Sequence, residues 1–432
     1  MNVLRHTDTG FTSKLERLMR ASSLFDPEIE QRVRGILEDV RARGDVALLE
    51  FAERFDAVKL TTEQLTVSRA ELFNAALAVE DPLRAAMTLA EKNITAFARG
   101  SLRKNWSRRN AQGGKVGEKF DPFQRVGIYV PGGKAPLAST ALMTITLARA
   151  AGCHEIIVCT PCGKDGNVNP ALLHAARMAG ATEIYKVGGA QAIAAMALGT
   201  ATIRRVQKIF GPGNAYVVAA KRLLFGQVAM DLLPGPSEVL VIADDTANAR
   251  FAAADLLAQA EHGSGHERVW LVTPSLKMLR AVEREIAKQL SKRSRREFIG
   301  KVLAENGWLI HVKSVDQGID ITNRLAPEHC EVMTRRARQI SERIVTAGAI
   351  FLGNNSPTVL GDYVAGPSHT LPTGGAGASF AGLTVDQFQR RTSVVEYSAA
   401  ALKKSLAAVE QFAAIEGLEA HGQSAAIRLE GK

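Results

Sequence analysis

Four short segments of the chain carry residue types that suit metal and proton chemistry. Gln259 and His262 are three apart in Gln259-Ala260-Glu261-His262, so a helix places them on one face of its last turn. An amide oxygen beside a neutral imidazole is half of a zinc site. Taken alone, His262 reads first as an imidazole meeting the dipole at a helix C-terminus. Glu328 and His329 are adjacent in Pro327-Glu328-His329, which suits general acid and base work if both reach one pocket. In extended chain, neighbouring side chains point apart, and a turn is needed to bring them together. Gly361-Asp362 and His369 lie in a glycine-rich stretch, and His421 lies near the C-terminus. A loop carboxylate with two or three imidazoles from separate segments makes an N/O ligand set that needs no thiolate. Ser237, in Pro234-Gly235-Pro236-Ser237, reads as a turn cap before it reads as a substrate contact.

Something must bring these segments together. The helix that carries Gln259 has an apolar face of Phe251, Ala254, Leu257 and Ala258, and Gly263 is its expected stop. From Val126 onward, short apolar strands alternate with helical stretches of about ten to fifteen residues. The strands are expected at 126–131, 155–160, 183–187, 206–210, 228–231, 238–243, 269–273, 309–312, 330–333 and 349–352. The fold class is therefore α/β: parallel sheets covered on both faces. These strands are too many for one doubly wound sheet, so two Rossmann-like units are expected, split near Pro234-Gly235-Pro236. Glycine turns follow three strands, at Gly132-Gly133, Gly188-Gly189 and Gly211-Pro212-Gly213. No G-x-G-x-x-G is present, but three such turns at strand ends favour dinucleotide binding. The chain reads as helical at 27–55, at 81–99 and again from Val385. Residues 1–23 have little to bury alone and read as an arm packed on another domain or subunit.

Composition excludes several classes. The 432 residues are 46% hydrophobic and 23% charged, an ordinary globular balance. No apolar run is long enough to span a bilayer, and residues 1–20 have no signal-peptide core, so a cytoplasmic protein is expected. The net charge of +10 gathers at Arg103-Lys104, Arg108-Arg109, Lys292-Arg293 and Arg295-Arg296. Only Trp106 is interleaved with these clusters, and no nucleic-acid partner is expected. Cys159-Thr160-Pro161-Cys162 has no second pair to complete a metal knuckle and reads as reduced structural thiols.

Long segments give a more specific reading. VGIYVPGG (126–133), GGAQA (188–192), GPGNAY (211–216), GPSEVL (235–240), QAEH (259–262), APEH (326–329), GDYVAGP (361–367) and RTSVVEY (391–397) resemble the signature segments of the histidinol dehydrogenase family. The resemblance covers essentially the whole chain. It implies oxidation of L-histidinol to L-histidine through L-histidinal, the last step of histidine biosynthesis, with two NAD reduced per turnover. It implies one zinc ion per subunit, held by Gln259, His262, Asp362 and His421, with His421 supplied by the partner in a homodimer. His329 is implied as the base and Glu328 as the residue that activates water. Ser237, His369 and Glu416, together with the metal ligands and His329, are implied to contact substrate. Tyr129, Gln191 and Asn214 are implied to contact NAD.

The expected division is an N-terminal arm at 1–24 and a metal- and catalysis-bearing unit at 25–125 plus 238–383. An NAD-binding unit at 126–237 and a swapped C-terminal helical segment at 384–432 complete it. The chain departs from the family pattern at Lys134–Ala138, Thr144–Leu147 and Ser368-His369-Thr370. The rival readings are a relative acting on another polar alcohol, a zinc hydrolase in which Glu328 activates water without a cofactor, and a non-catalytic metabolite-binding protein. Glu416 would repel a sulfonated substrate and favours an aminated one.

Overall fold

A computed structural model describes residues 1–19, 26–132 and 136–430. Its strands, in chain order, are β1 (Asn2–Arg5), β2 (Trp106–Arg109), β3 (Lys115–Pro122), β4 (Arg125–Tyr129), β5 (Glu155–Cys159), β6 (Glu183–Tyr185) and β7 (Lys208–Phe210). They continue with β8 (Ala229–Met230), β9 (Glu238–Ala243), β10 (Arg268–Thr273), β11 (Gly307–His311), β12 (His329–Met333), β13 (Ala349–Leu352) and β14 (Gln389–Glu396). Among the described residues they form three sheets. Two are parallel, in the orders β6-β5-β4-β7-β8 and β1-β11-β10-β9-β12-β13. The third, β14-β3-β2, is antiparallel.

Both parallel sheets start at a central strand, β4 or β9, run outward twice, then return to the other side. This is the order of an open Rossmann-type sheet. The central strands are buried along their whole length because helices cover both faces: every residue of Arg125–Tyr129 and of Glu238–Ala243 is buried. The boundary between the sheets falls between Met230 and Glu238, at the proline-glycine hinge.

Three expectations change. The helices Pro27–Arg43, Arg69–Ala78 and Asp81–Ser101 pack on helices of the 125–230 sheet, not on the 238–352 sheet. Grouping 25–125 with 238–383 is therefore corrected. An amphipathic stripe announces that a helix is covered, but not by which sheet. Second, residues 389–396 are a strand paired with β3, where helix was expected. Thr392, Val394 and Val395 supply its β-branched character, and helices follow at Ala399–Ile415 and Glu419–Ala426. Third, the N-terminal arm is in part an edge strand, with β1 parallel to β11. Gly133 and Lys134-Ala135, which carry part of the first glycine turn and of the first departure, lie outside the described residues. No described helix is long and apolar enough to cross a membrane.

Candidate active site

The helix Ala249–Ala260 is N-capped by Asn248, whose side chain accepts from Arg250 N–H at 3.0 Å. It ends at Ala260 with Glu261 as its cap residue, so Gly263 is not the immediate stop. Gly263 instead belongs to a turn around Glu267, whose buried carboxylate accepts from the N–H groups of Gly263, Ser264 and Gly265 at 2.9, 2.5 and 2.9 Å. That turn fixes His262 just beyond the last helical turn. Gln259 and His262 both line a cavity of about 520 Å³.

Glu328 and His329 line the same cavity. Just before the pair, Ala326 at φ +46° caps the helix Val315–Leu325 in the left-handed region, its N–H donating to the Thr322 carbonyl. Asp362 joins them from a short helix, Thr358–Tyr363, where a loop was expected. Ser237 also lines the cavity, where a turn cap was expected, and among the described residues its side chain has no hydrogen bond that caps a turn. The site reaches across both parallel units, because Thr140 at the start of helix Ala138–Ala151 and the Pro212-Gly213 turn complete the wall.

The buried His329 ring is held at both nitrogens. Nδ1 lies 3.0 Å from the Glu238 carbonyl oxygen and 3.5 Å from Glu328 Oε2, and Nε2 lies 3.6 Å from Asp362 Oδ1. Burial works against a charged imidazole here, but the two flanking carboxylates outweigh it and raise its pKa well above the ordinary value. Asp362 moves the other way. Burial opposes its ionisation, yet the hydrogen bond from His329 and the nearby imidazoles lower its pKa. His369 places Nδ1 2.9 Å from the Asp362 carbonyl and Nε2 3.0 Å from Thr140 Oγ1, and burial lowers its pKa. It therefore braces Asp362 as well as lining the cavity.

Among the described residues no group of three or more His, Cys, Asp or Glu is arranged to hold a metal. Of the expected metal ligands the cavity assembles the His262 imidazole, the Asp362 carboxylate and the Gln259 amide. The amide is buried, and its nitrogen has no hydrogen-bond partner. An amide nitrogen left without a partner among the described residues calls for an acceptor from outside the chain, and the amide oxygen is the atom that could ligate a metal. His421 and Glu416 are not among the cavity residues and are exposed on the C-terminal helices.

The cofactor candidates meet in a second space of about 920 Å³ at the carboxyl ends of β4 to β7. Tyr129, Gln191 and Asn214 all line it. The Tyr129 hydroxyl accepts from Gly189 N–H at 3.0 Å, and burial pushes its pKa up to about 12. Asn214 Oδ1 accepts from Tyr216 and Val217 N–H at 3.1 and 3.2 Å, so those two donors are taken by the cap and not left for a phosphate. Gly211, at φ +114°, tolerates no side chain, since a Cβ there would lie 2.0 Å from the Tyr129 carbonyl oxygen. Cys159 and Cys162 are free thiols.

Sequence reasoning missed Phe55 and Asp56, which also line this cleft from the end of the helical region 27–56. It also missed Glu238, which touches both Glu328 and His329. Within GPSEVL, Glu238 shows only as a charge opening an apolar strand, the one signal that marks it.

The comparisons with known proteins bear on the whole chain. A family model described as histidinol dehydrogenase matches residues 19–429. A histidinol dehydrogenase from a Synechococcus species is 46% identical over 399 residues, 92% of either chain. One from Heliobacterium mobile is 43% identical, with 96% of this chain and 97% of the relative covered. The crystal structure of histidinol dehydrogenase from Elizabethkingia anophelis superposes with a TM-score of 0.95 at 36% identity, covering 100% of this chain and 98% of the other.

Proposed function

The chain belongs to the histidinol dehydrogenase family, and from that premise we propose how its own residues carry out the oxidation of L-histidinol to L-histidine. The reaction passes through L-histidinal, reduces two NAD and closes histidine biosynthesis. The reading is carried by one observation: Ser237, Gln259, His262, Glu328, His329, Asp362 and His369 share one cavity, beside a cleft lined by Tyr129, Gln191 and Asn214.

Gln259, His262 and Asp362 would hold zinc, with His421 from a second copy as the fourth ligand. A zinc ion held there would supply a Lewis acid that positions the substrate. Bound NAD would accept a hydride at each oxidation. The rest falls to the chain. The Glu238 carbonyl can only accept, so the His329 proton sits on Nδ1 and the Nε2 lone pair is the base for the carbinol proton. Glu328 activates the water that adds to the aldehyde, since only a hydrated aldehyde has a second hydride to give. Asp362 is one of the two carboxylates that favour the charged form of His329, so a ligand role for Asp362 would favour the neutral imidazole that a base requires. Glu416 would meet the substrate ammonium.

The second copy is supported by the C-terminal region. Helix Ala399–Ile415 packs on helix Glu419–Ala426, while Phe412, Ile415, Leu418 and Ile427 stay exposed, as do Val394 and Val395 of β14. Apolar surface of this kind marks a contact face, and a homodimer would cover it while delivering Glu416 and His421 to the cavity of the partner.

The test is NADH formation with L-histidinol limiting, on zinc-loaded protein. Two NADH per histidinol is the expected result. One NADH with free aldehyde would remove Glu328 from its role. None, with zinc bound, would overturn the substrate.

A further inference from the structure

We propose that Glu238 is a positioning residue for both oxidation steps: its peptide holds Glu328 and His329, and its buried carboxylate, gripped by Arg268, fixes that peptide in place. The inference rests on the roles given above to Glu328 and His329.

Glu238 opens β9, the central strand of its sheet. Its N–H donates to Glu328 Oε2 at 2.8 Å, and its carbonyl oxygen accepts from His329 Nδ1 at 3.0 Å. One residue therefore orients the acid that activates water and sets the tautomer of the base. Those contacts are only as good as the placement of the peptide, and the strand end next to a Pro-Gly-Pro hinge is a poor anchor by itself. The side chain supplies the anchor. It is wholly buried, and its Oε1 accepts from Arg268 Nη1 at 3.2 Å.

Arg268 is held in turn. Its residue is the register partner of Glu238 on β10, and its N–H donates to the Ser237 carbonyl at 3.1 Å. Nη2 donates to the Leu18 carbonyl at 2.6 Å, and the guanidinium sits 4.8 Å from the ring centroid of the buried Trp270. A buried ion pair contributes little to stability compared with well-packed apolar side chains, so this one calls for a reason beyond stability. Ser237 on one side and the two catalytic side chains on the other give that reason: the pair fixes a peptide to which the chemistry is attached.

The experiment uses the full-length zinc-loaded dimer and measures both half-reactions, histidinol oxidation and histidinal oxidation, in the wild type, Glu238→Gln, Arg268→Met, Arg268→Lys and the Glu238→Gln/Arg268→Met double variant. Glu238→Gln keeps volume and both backbone contacts while losing the charge that Arg268 grips. The expected result is a fall in kcat of roughly 10- to 100-fold in both half-reactions, the size of effect that small misplacements produce. KM for histidinol and zinc content stay as in the wild type. Arg268→Lys recovers part of the loss. The double variant is no slower than Arg268→Met, because the two side chains act as one unit. If the variants lose melting temperature but keep kcat, the pair is purely structural and the inference is overturned. If Arg268→Met does not fold, Glu238→Gln decides alone. A wild type that forms no NADH overturns the proposed function and this inference with it. A wild type that forms two NADH while Glu238→Gln keeps full kcat overturns this inference only.

Discussion

The pairs Arg125–Glu155 and Glu238–Arg268 stand at matching places in the two parallel sheets, with the charges exchanged between the two strands. Arg125 opens β4 and pairs in register with Glu155 on the next strand, and Arg268 opens β10 and pairs in register with Glu238 on β9. In the first sheet the charges are saturated. Arg125 donates to Glu183 at 2.6 and 2.7 Å and to Glu155 at 2.6 Å, and Arg204 adds a contact to Glu155 at 2.9 Å. The Arg125 hydrogen bond holds Glu183 down at about 2. In the second sheet one guanidinium at 3.2 Å faces a wholly buried acid. Burial, with Glu328 close by, pushes Glu238 up to about 7 against the pull of Arg268. The same edge of the same topology is thus a closed ion-pair cluster in one unit and an under-neutralised catalytic corner in the other.

The ligand spaces divide in the same way. The 920 Å³ cleft lies at the carboxyl ends of its strands, where open α/β sheets bind ligands. The residues that line or brace the other cavity lie at amino ends of their sheet, with Glu238 opening β9 and His329 opening β12. The seven-residue passage from Asp231 to Ser237 accounts for this, because it brings the amino end of β9 to the carboxyl side of the first sheet. Pro212-Gly213 and Pro234-Gly235 then line one wall together.

This contrast is tested first at its chemical corner. His329→Asn removes the base at the amino edge of β12, and kcat should fall by roughly 10²–10⁴-fold, with zinc content kept. A smaller loss than tenfold in kcat would mean that the amino edge is not where the proton goes. The next effect belongs to the other sheet. Gly211→Ala forces a Cβ against the Tyr129 carbonyl at a positive φ, costing at least about 1–3 kcal/mol. It should lower the melting temperature and raise KM for NAD more than KM for histidinol, and equal rises would detach that turn from the cofactor.

Glu183→Gln addresses the closed cluster. Because the folded pKa of Glu183 is depressed from an ordinary 4.5 to about 2, its contribution is present above about pH 4.5 and is lost as pH falls toward 2. The variant should unfold at a higher pH on acid titration while its activity at neutral pH is unchanged. Loss of neutral activity would show that this edge also serves the chemistry. The smallest effect is expected at the carboxyl edge of the catalytic sheet. Arg336 lines a separate space of about 390 Å³ there, together with Arg335 and Arg343. Arg336→Ala should change stability by less than about 0.5 kcal/mol and leave both half-reactions as they are, and a slowed reaction would mean that both edges of that sheet are used.

Much of this was legible along the chain. The ten strands read from apolar runs between turn residues all appear, each within two residues at either end, because buried parallel strands leave a continuous apolar signal. Gln259 with His262, and Glu328 with His329, were legible as local pairs. Other features were not local. The stripe on Pro27–Arg43 carries no label for the helices of the 125–230 sheet that it covers. Residues 389–396 read as part of a helical run because their pairing partner, β3, is some 270 residues away. Ser237 read as a cap because its neighbours suggest a turn, and only the cavity shows what it faces.

The sequence by itself therefore determined which residues can do chemistry, the strand and helix periods, the α/β class and the family, since each is written in residue type and short-range spacing. Tertiary structure decided which edge of each sheet is used, that Glu328 and His329 line one cavity, and that the Glu238 peptide holds both of them. Those outcomes depend on contacts between residues tens to hundreds of positions apart, where hydrogen-bond distance and burial, not spacing along the chain, set the result.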